Sequence, residues 1–169
     1  MSRVRSAPIV SLDESVARVA AWRQDGASVV FTNGVFDLLH PGHVRYLAAA
    51  RAEGDRLIVA VNSDRSARAN KGPRRPLVPE AERAELLAGL ASVDAVLLFD
   101  DETPARAIDR LQPDVLVKGA DWAEGEIVGR EATVARGGRV VRAPIEKGHS
   151  TTDMISRIIA VEPGTYGER

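Results

Sequence analysis

The chain has 169 residues, with 23 Lys and Arg against 24 Asp and Glu, a formal net charge of −1 and no cysteine. That length suits one compact domain with its own core, and the missing cysteines exclude a disulfide scaffold, a thiolate nucleophile and a cysteine-built zinc site. Near-neutrality gives no sign of a nucleic-acid partner, and no apolar run is long enough for a membrane span or a signal-peptide core, so cytoplasm is the expected location.

In chain order, the segment Leu12 to Trp22 carries apolar residues at helical spacing behind a Ser11 cap with Glu14 three residues on. Ala27 to Thr32 is a short β-branched run that predicts a buried strand, and Val44 to Ala52 predicts the next helix. A strand over Arg56 to Val61 follows, then a helix from Pro79 to Leu90 with its proline in an early position. Ala95 to Phe99 is a strand, Pro104 to Leu111 a helix, Asp114 to Lys118 a strand and Glu126 to Arg136 a helix. Arg139 to Arg142 and Thr151 to Ile159 supply a last strand and helix. Ser63 to Pro76 is the least regular stretch, broken by Gly72, Pro73 and Pro76, and is expected to be a mobile basic loop.

Short apolar strands alternating with helices predict a Rossmann-like α/β fold, a parallel sheet with helices on both faces. One domain is expected over 1–169, with loose ends at 1–10 and 162–169. Right-handed crossovers bring every strand's carboxyl end to one edge, where open α/β sheets bind ligands. That edge collects Asn33 to His43, Asn62 to Lys71, Phe99 to Thr103, Lys118 to Trp122 and the stretch before Thr151.

The sharpest signal is TNGVFDLLHPGH, Thr32 to His43, between a strand and a helix. Gly34 and Gly42 permit close backbone approach, and a helix amino end near Gly42 suits a phosphate. His40 and His43, two of three histidines in the chain, are spaced so that both rings can face one side. Two imidazoles there can donate hydrogen bonds to phosphate oxygens as charge moves in a transition state. The competing reading is that one histidine caps the helix and the other packs locally. His40, His43 and Asp37 could supply three ligands, but no HExxH helix and no cysteine partner accompany them, so no protein-held metal is expected. GxxxxGK[ST], GxGxxG and GxSxG are all absent, which removes P-loop, dinucleotide and hydrolase-elbow readings.

Thr32 to His43 resembles the HxGH signature of the cytidylyltransferase-like nucleotidyltransferases. With VAVNSDRS, KGPRRP, PEAERAELL, PDVLVKGADW, EIVG, ARGG and STTDMI, the chain from Ser11 to Ile159 resembles the heptose 1-phosphate adenylyltransferases of that superfamily. The resemblance implies transfer of AMP from ATP to D-glycero-β-D-manno-heptose 1-phosphate. It implies Mg²⁺ carried mainly by ATP, a separate sugar kinase to supply the substrate, and a family in which homodimers are common. On the matching positions, His40, His43 and Lys71 are catalytic. Asn33, Gly34, Phe36, Gly42, Lys118, Gly119, Asp121, Ser150, Thr151 and Thr152 bind the nucleotide, and Asp37, Asp64, Arg74 and Arg75 bind the sugar phosphate.

Several of these residues have a plainer reading as well. Lys71 suits a mobile phosphate clamp or a solvated loop charge. Asp64 suits a sugar hydroxyl or the cap of a short helix, and the choice between Arg74 and Arg75 stays open. Ser150 and Asp153 stand at capping-box spacing, with Lys147 and His149 nearby. Trp122 suits either base stacking or the cover of a core edge. Two other functions remain: a cytidylyl- or guanylyltransferase acting on glycerol phosphate or another sugar phosphate, and a nucleotide-binding module without turnover.

Overall fold

The structure, a computed structural model, describes residues 6–144, 148 and 150–161. The expected tail at 162–169, the first five residues, Lys147 and His149 lie outside the described residues. The elements in order are β1 (Ile9–Val10), α1 (Leu12–Gln24), β2 (Val29–Gly34), α2 (Pro41–Arg51), β3 (Arg56–Asn62), α3 (Asp64–Lys71) and α4 (Glu80–Ala88). They continue with β4 (Ala95–Phe99), α5 (Ala105–Leu111), β5 (Val115–Gly119), α6 (Arg130–Ala135), β6 (Arg139–Ala143) and α7 (Thr151–Ile159).

All six strands join one parallel sheet in the order β1-β4-β3-β2-β5-β6. From β2 the chain moves outward through β3 and β4 on one side, then returns to place β5 and β6 on the other. The reversal between β2 and β5 opens a crevice at their carboxyl ends. Strand residues alternate between two cores. Val30, Val59, Val61, Val96 and Val117 pack under α2 and α4, against Leu47, Ala84 and Leu87. Phe31, Ile58, Ala60, Leu97 and Leu116 pack under α1 and α5, against Val19, Ile108 and Leu111. Helices therefore cover both faces, as the alternating pattern predicts.

Helix α1 starts with the full capping box expected at Ser11 and Glu14. The structure departs from the sequence reading in four places. Residues 1–10 were expected to be loose, yet Ile9 and Val10 pair in parallel with Val96 and Leu97, and the Ala7 amide donates to Ala88 at 2.7 Å. Helix α2 begins at Pro41 instead of Val44, because Pro41 suits a first helical position and His40 caps it. Residues 64–71, expected in a loop, form α3. Its buried contacts are the small side chains Ser66 and Ala67, which give little hydrophobic periodicity to read. The helix expected over Glu126 to Arg136 is shorter: a 3₁₀ turn at Glu124–Glu126 is separated from α6 by Gly129. Gly129 has φ +85°, and a Cβ there would lie 2.8 Å from Ile108. Only glycine meets both demands.

No residue of α7 is buried. Among the described residues, no helix is long and apolar enough to cross a membrane.

Candidate active site

The crevice is built around the turn from β2 into α2. His40 is the N-cap of α2 and Gly42 and His43 occupy its first turn. The amide of His43 donates to His40 Nδ1 at 3.3 Å and to the His40 carbonyl at 2.9 Å. The two imidazoles stack, with centroids 3.8 Å apart and planes 21° from parallel. Phe36 meets His43 edge-on at 5.3 Å from beneath. It is buried with φ 49°, and a Cβ on Gly34 would come within 3.1 Å of its ring. Gly34 thus leaves room for the aromatic support under His43, and the left-handed backbone at Phe36 is local strain of the kind found at functional sites.

Burial, and next the neighbouring His40, lower the His43 pKa from 6.5 to about 4, while a backbone hydrogen bond to Leu38 acts in the opposite direction. The ring is neutral at pH 7, and its Nδ1 is buried without a partner. The competing reading describes the resting geometry of both rings: His40 caps α2, and His43 packs against His40 and Phe36.

Across the reversal, Lys118 at the end of β5 is 7% exposed, and its ammonium donates to Asn33 Oδ1 at the end of β2. The ammonium lies 5.6 Å from the centroid of the Trp122 ring, which is 45% exposed. Burial lowers the Lys118 pKa from 10.5 to about 8, with the Asp121 carboxylate pulling it upward. Asn33 and Gly34 at the end of β2 therefore lie beside Lys118, Gly119 and Asp121 at the end of β5. Tyr46 was missed from sequence. Its hydroxyl pairs with Thr32 Oγ1 at 2.8 Å and donates to the Val117 carbonyl at 3.4 Å, tying α2 to both β2 and β5. Burial, foremost, raises its pKa to about 12, so it stays a neutral donor.

On the other side of β2, Asp37 takes a different part from the sugar-binding one expected. Its 2% exposed carboxylate accepts from Arg75 Nε at 2.6 Å and from the amides of Leu77 and Val78 at 2.8 Å each. With three donors on one buried carboxylate, Asp37 braces the segment 72–78 from inside. That segment is hydrogen-bonded at its far end. Arg75 is committed to Asp37, whereas among the described residues Lys71 and Arg74 are exposed and have no hydrogen bond or ion pair.

Asp64 does not cap α3. Ser63 does, accepting from the Ser66 amide at 3.1 Å. The Asp64 carboxylate is paired through Oδ1 with Arg83 at 2.8 Å, and its amide donates to Glu80 at 2.6 Å. Ser150 caps α7 by accepting from Asp153 at 3.0 Å, with Thr151 and Thr152 in the first turn. Arg83, fully buried and bonded to Asp64, had no part in the sequence reading. Its signal was a cation four residues before Leu87 on the apolar side of α4.

A surface depression of about 440 Å³ lies elsewhere, against the amino ends of β3 and β4 beside Arg56 and Asp94, apart from this crevice. Among the described residues, no three His, Asp or Glu side chains converge as metal donors.

The family profile described as Cytidylyltransferase-like matches residues 31–157. The chain is 47% identical over 157 residues to a bifunctional protein HldE of Methylobacillus flagellatus, covering 93% of this chain and 32% of that one. It is 51% identical over 156 residues to the HldE of a Caulobacter species, covering 92% and 32%. The chain thus spans about a third of the length of these relatives. A solved lipopolysaccharide core biosynthesis protein from Thermoplasma volcanium is 31% identical with a TM-score of 0.61, covering 73% of this chain and 100% of that one. Pantothenate synthetase from Thermus thermophilus, at 19% identity and a TM-score of 0.56, covers 94% of this chain and 69% of that one and shares the fold alone. The profile match runs from within β2 into α7 and includes both histidines and Lys118, so the chain belongs to the cytidylyltransferase-like family.

Proposed function

We propose that the chain transfers AMP from ATP to D-glycero-β-D-manno-heptose 1-phosphate, releasing pyrophosphate and forming ADP-heptose. The observation that carries the reaction type is the stacked His40–His43 pair at the start of α2, facing the crevice where β2 and β5 diverge. The choice of sugar and nucleotide is supported by the motif resemblance and by similarity to the HldE proteins over most of this chain.

In the reaction, a phosphate oxygen of the sugar phosphate attacks the α-phosphorus of ATP, and the bond to the leaving pyrophosphate breaks in line. No covalent enzyme intermediate is needed, because binding both substrates in one crevice sets nucleophile opposite leaving group. His43, neutral at rest, donates a hydrogen bond to phosphate oxygen, and the incoming negative charge opposes the burial that lowers its pKa. His40 holds that ring and the first turn of α2 in register. The amino end of α2 around Gly42 receives the triphosphate charge, with Ser150, Thr151 and Thr152 as a second helix start for its tail.

Lys118 and Asn33, with Gly119 and Asp121, form the nucleoside corner. Lys71, at the end of α3 and without a partner among the described residues, reaches the reacting phosphates, and Arg74 and Asp64 bind the sugar phosphate. Mg²⁺ bound by the triphosphate oxygens would offset their charge; the described residues offer no cage for it, and none is required of them. The substrate is made by a separate sugar kinase activity, and a homodimer is the assembly that the family resemblance implies.

The test is a matrix of ATP, CTP and GTP against heptose 1-phosphate, glucose 1-phosphate, mannose 1-phosphate and glycerol 3-phosphate, read as pyrophosphate release. The expected result is highest kcat/KM for ATP with the heptose phosphate. Equal or higher efficiency with CTP, or with a hexose 1-phosphate, overturns the assignment.

A further inference from the structure

We propose that Arg83 is a positioning residue for this transfer. It holds the segment 72–78 and the start of α3 against the carboxyl ends of β2 and β3, and so sets where Lys71 meets the substrates. The inference rests on the nucleotidyl-transfer reading above. Arg83 is 0% exposed, and heads the largest fully buried side chains. Its Nε donates to the Val78 carbonyl at 2.9 Å and its Nη1 to the Val35 carbonyl at 2.6 Å. Its Nη2 donates to the Asn62 carbonyl at 2.9 Å and to Asp64 Oδ1 at 2.8 Å.

Those four acceptors come from four segments: just past β2, the last residue of β3, the first of α3, and the stretch before α4. Val78 is gripped from both sides, since Asp37 takes its amide and Arg83 its carbonyl. Asp37 also holds Leu77 and Arg75, so one end of the basic segment is fastened and the other continues into Lys71. Lys71 and Arg74 have no partner of their own among the described residues. Their reach into the crevice is therefore set by what fastens the backbone on either side.

A buried guanidinium is a poor source of stability, because an apolar side chain of the same volume often does as well or better. Its distinctive property is a planar fork of donors that fixes several acceptors in one arrangement, which a lysine ammonium cannot reproduce. Here the fork ties the carboxyl ends of β2 and β3 to the start of α3 and to the stretch before α4. The core of α4 itself is satisfied by Ala84, Leu87 and Ala88.

The experiment compares the full chain with Arg83→Lys and, if that variant does not fold, Arg83→Gln. Pyrophosphate release is read with ATP and heptose 1-phosphate, folding by circular dichroism, and the segment by limited trypsin digestion. Trypsin cuts after Lys71 and Arg74 when the backbone there opens, while the Arg75–Pro76 bond is not a substrate. The expected result for a folded variant is a fall in kcat of roughly a hundredfold, with KM for ATP changed by less than about threefold. Cleavage after Lys71 and Arg74 is expected to be about tenfold faster. Either readout left at the wild-type level in a folded variant overturns the proposal, as does failure of both variants to fold, which would assign Arg83 to the fold alone. A wild-type chain that releases no pyrophosphate defeats the reaction reading instead, and the trypsin pattern still decides whether Arg83 holds the segment.

Discussion

Replacing Lys118 by Met should make the protein more stable and a poorer nucleotide binder at once. Burial pushes the Lys118 pKa from 10.5 down to about 8, which corresponds to about 3 kcal/mol carried against the charged form at pH 7. Methionine has a similar shape and no charge to desolvate, but it leaves Asn33 Oδ1 without its donor, at a cost of about 1–3 kcal/mol if no water reaches it. The net expectation is a gain of about 1 kcal/mol at pH 7, or about 2–4 °C in Tm for a chain of this size.

The pH dependence has a definite sign. Between about pH 8 and pH 10.5 the unfolded chain keeps the Lys118 proton and the folded chain has lost it. The unfolded state binds more protons there, so wild-type stability rises with pH relative to the variant, and the variant's advantage closes and then reverses by pH 10. Urea unfolding of both proteins at pH 7 and pH 10 measures this, and ATP titration calorimetry measures the functional side. ATP affinity should fall about tenfold or more, the loss of one charge-assisted contact of roughly 1.5–3 kcal/mol. A Lys118→Met protein that is less stable at pH 7, with the same deficit at pH 10, would refute the argument that burial strains this charge. Unchanged ATP affinity would remove Lys118 from the nucleotide corner.

His43→Ala should lower kcat by roughly a hundredfold to a thousandfold, about 2.7–4 kcal/mol, in a protein that still folds. The double variant with His40→Ala should lose less than the product of the single losses, because the stacked rings serve one transition state. Near-wild-type turnover at saturating substrates would leave His43 a packing residue. Lys71→Ala should reduce kcat/KM at least about tenfold while Tm stays within about 1 °C, since the side chain is exposed and has no bond among the described residues; thermal unfolding and pyrophosphate release on one preparation check both halves. Gly129→Ala should destabilise by about 1–3 kcal/mol in urea unfolding, because the new Cβ meets Ile108 at 2.8 Å and the backbone is left-handed.

Local information was enough for much of this molecule. The capping box of α1, the bounds of β4 and α7, and the strand-helix alternation all depend on residues within a few positions of one another. So does the TNGVFDLLHPGH turn, in which proline, glycine and two histidines are spaced for a helix start. A period-two or period-3.6 apolar pattern leaves little freedom in the type of element, and parallel strands then share one carboxyl edge. Helix α3 escaped because its buried side is made of Ser66 and Ala67, too small to mark a face. Asp37 and Arg83 escaped for a different reason. The polar partners of Asp37 lie about forty residues away, at 75–78, and those of Arg83 include Val35, Asn62 and Asp64 on three other segments. A buried charge is decided by which donors and acceptors the folded chain gathers around it, and no sequence period records that. The tertiary structure alone therefore turned Asp37 from a surface for substrate into a brace, separated a committed Arg75 from a free Arg74, and put a guanidinium inside the protein, because burial makes every unpaired charge too costly to leave unmatched.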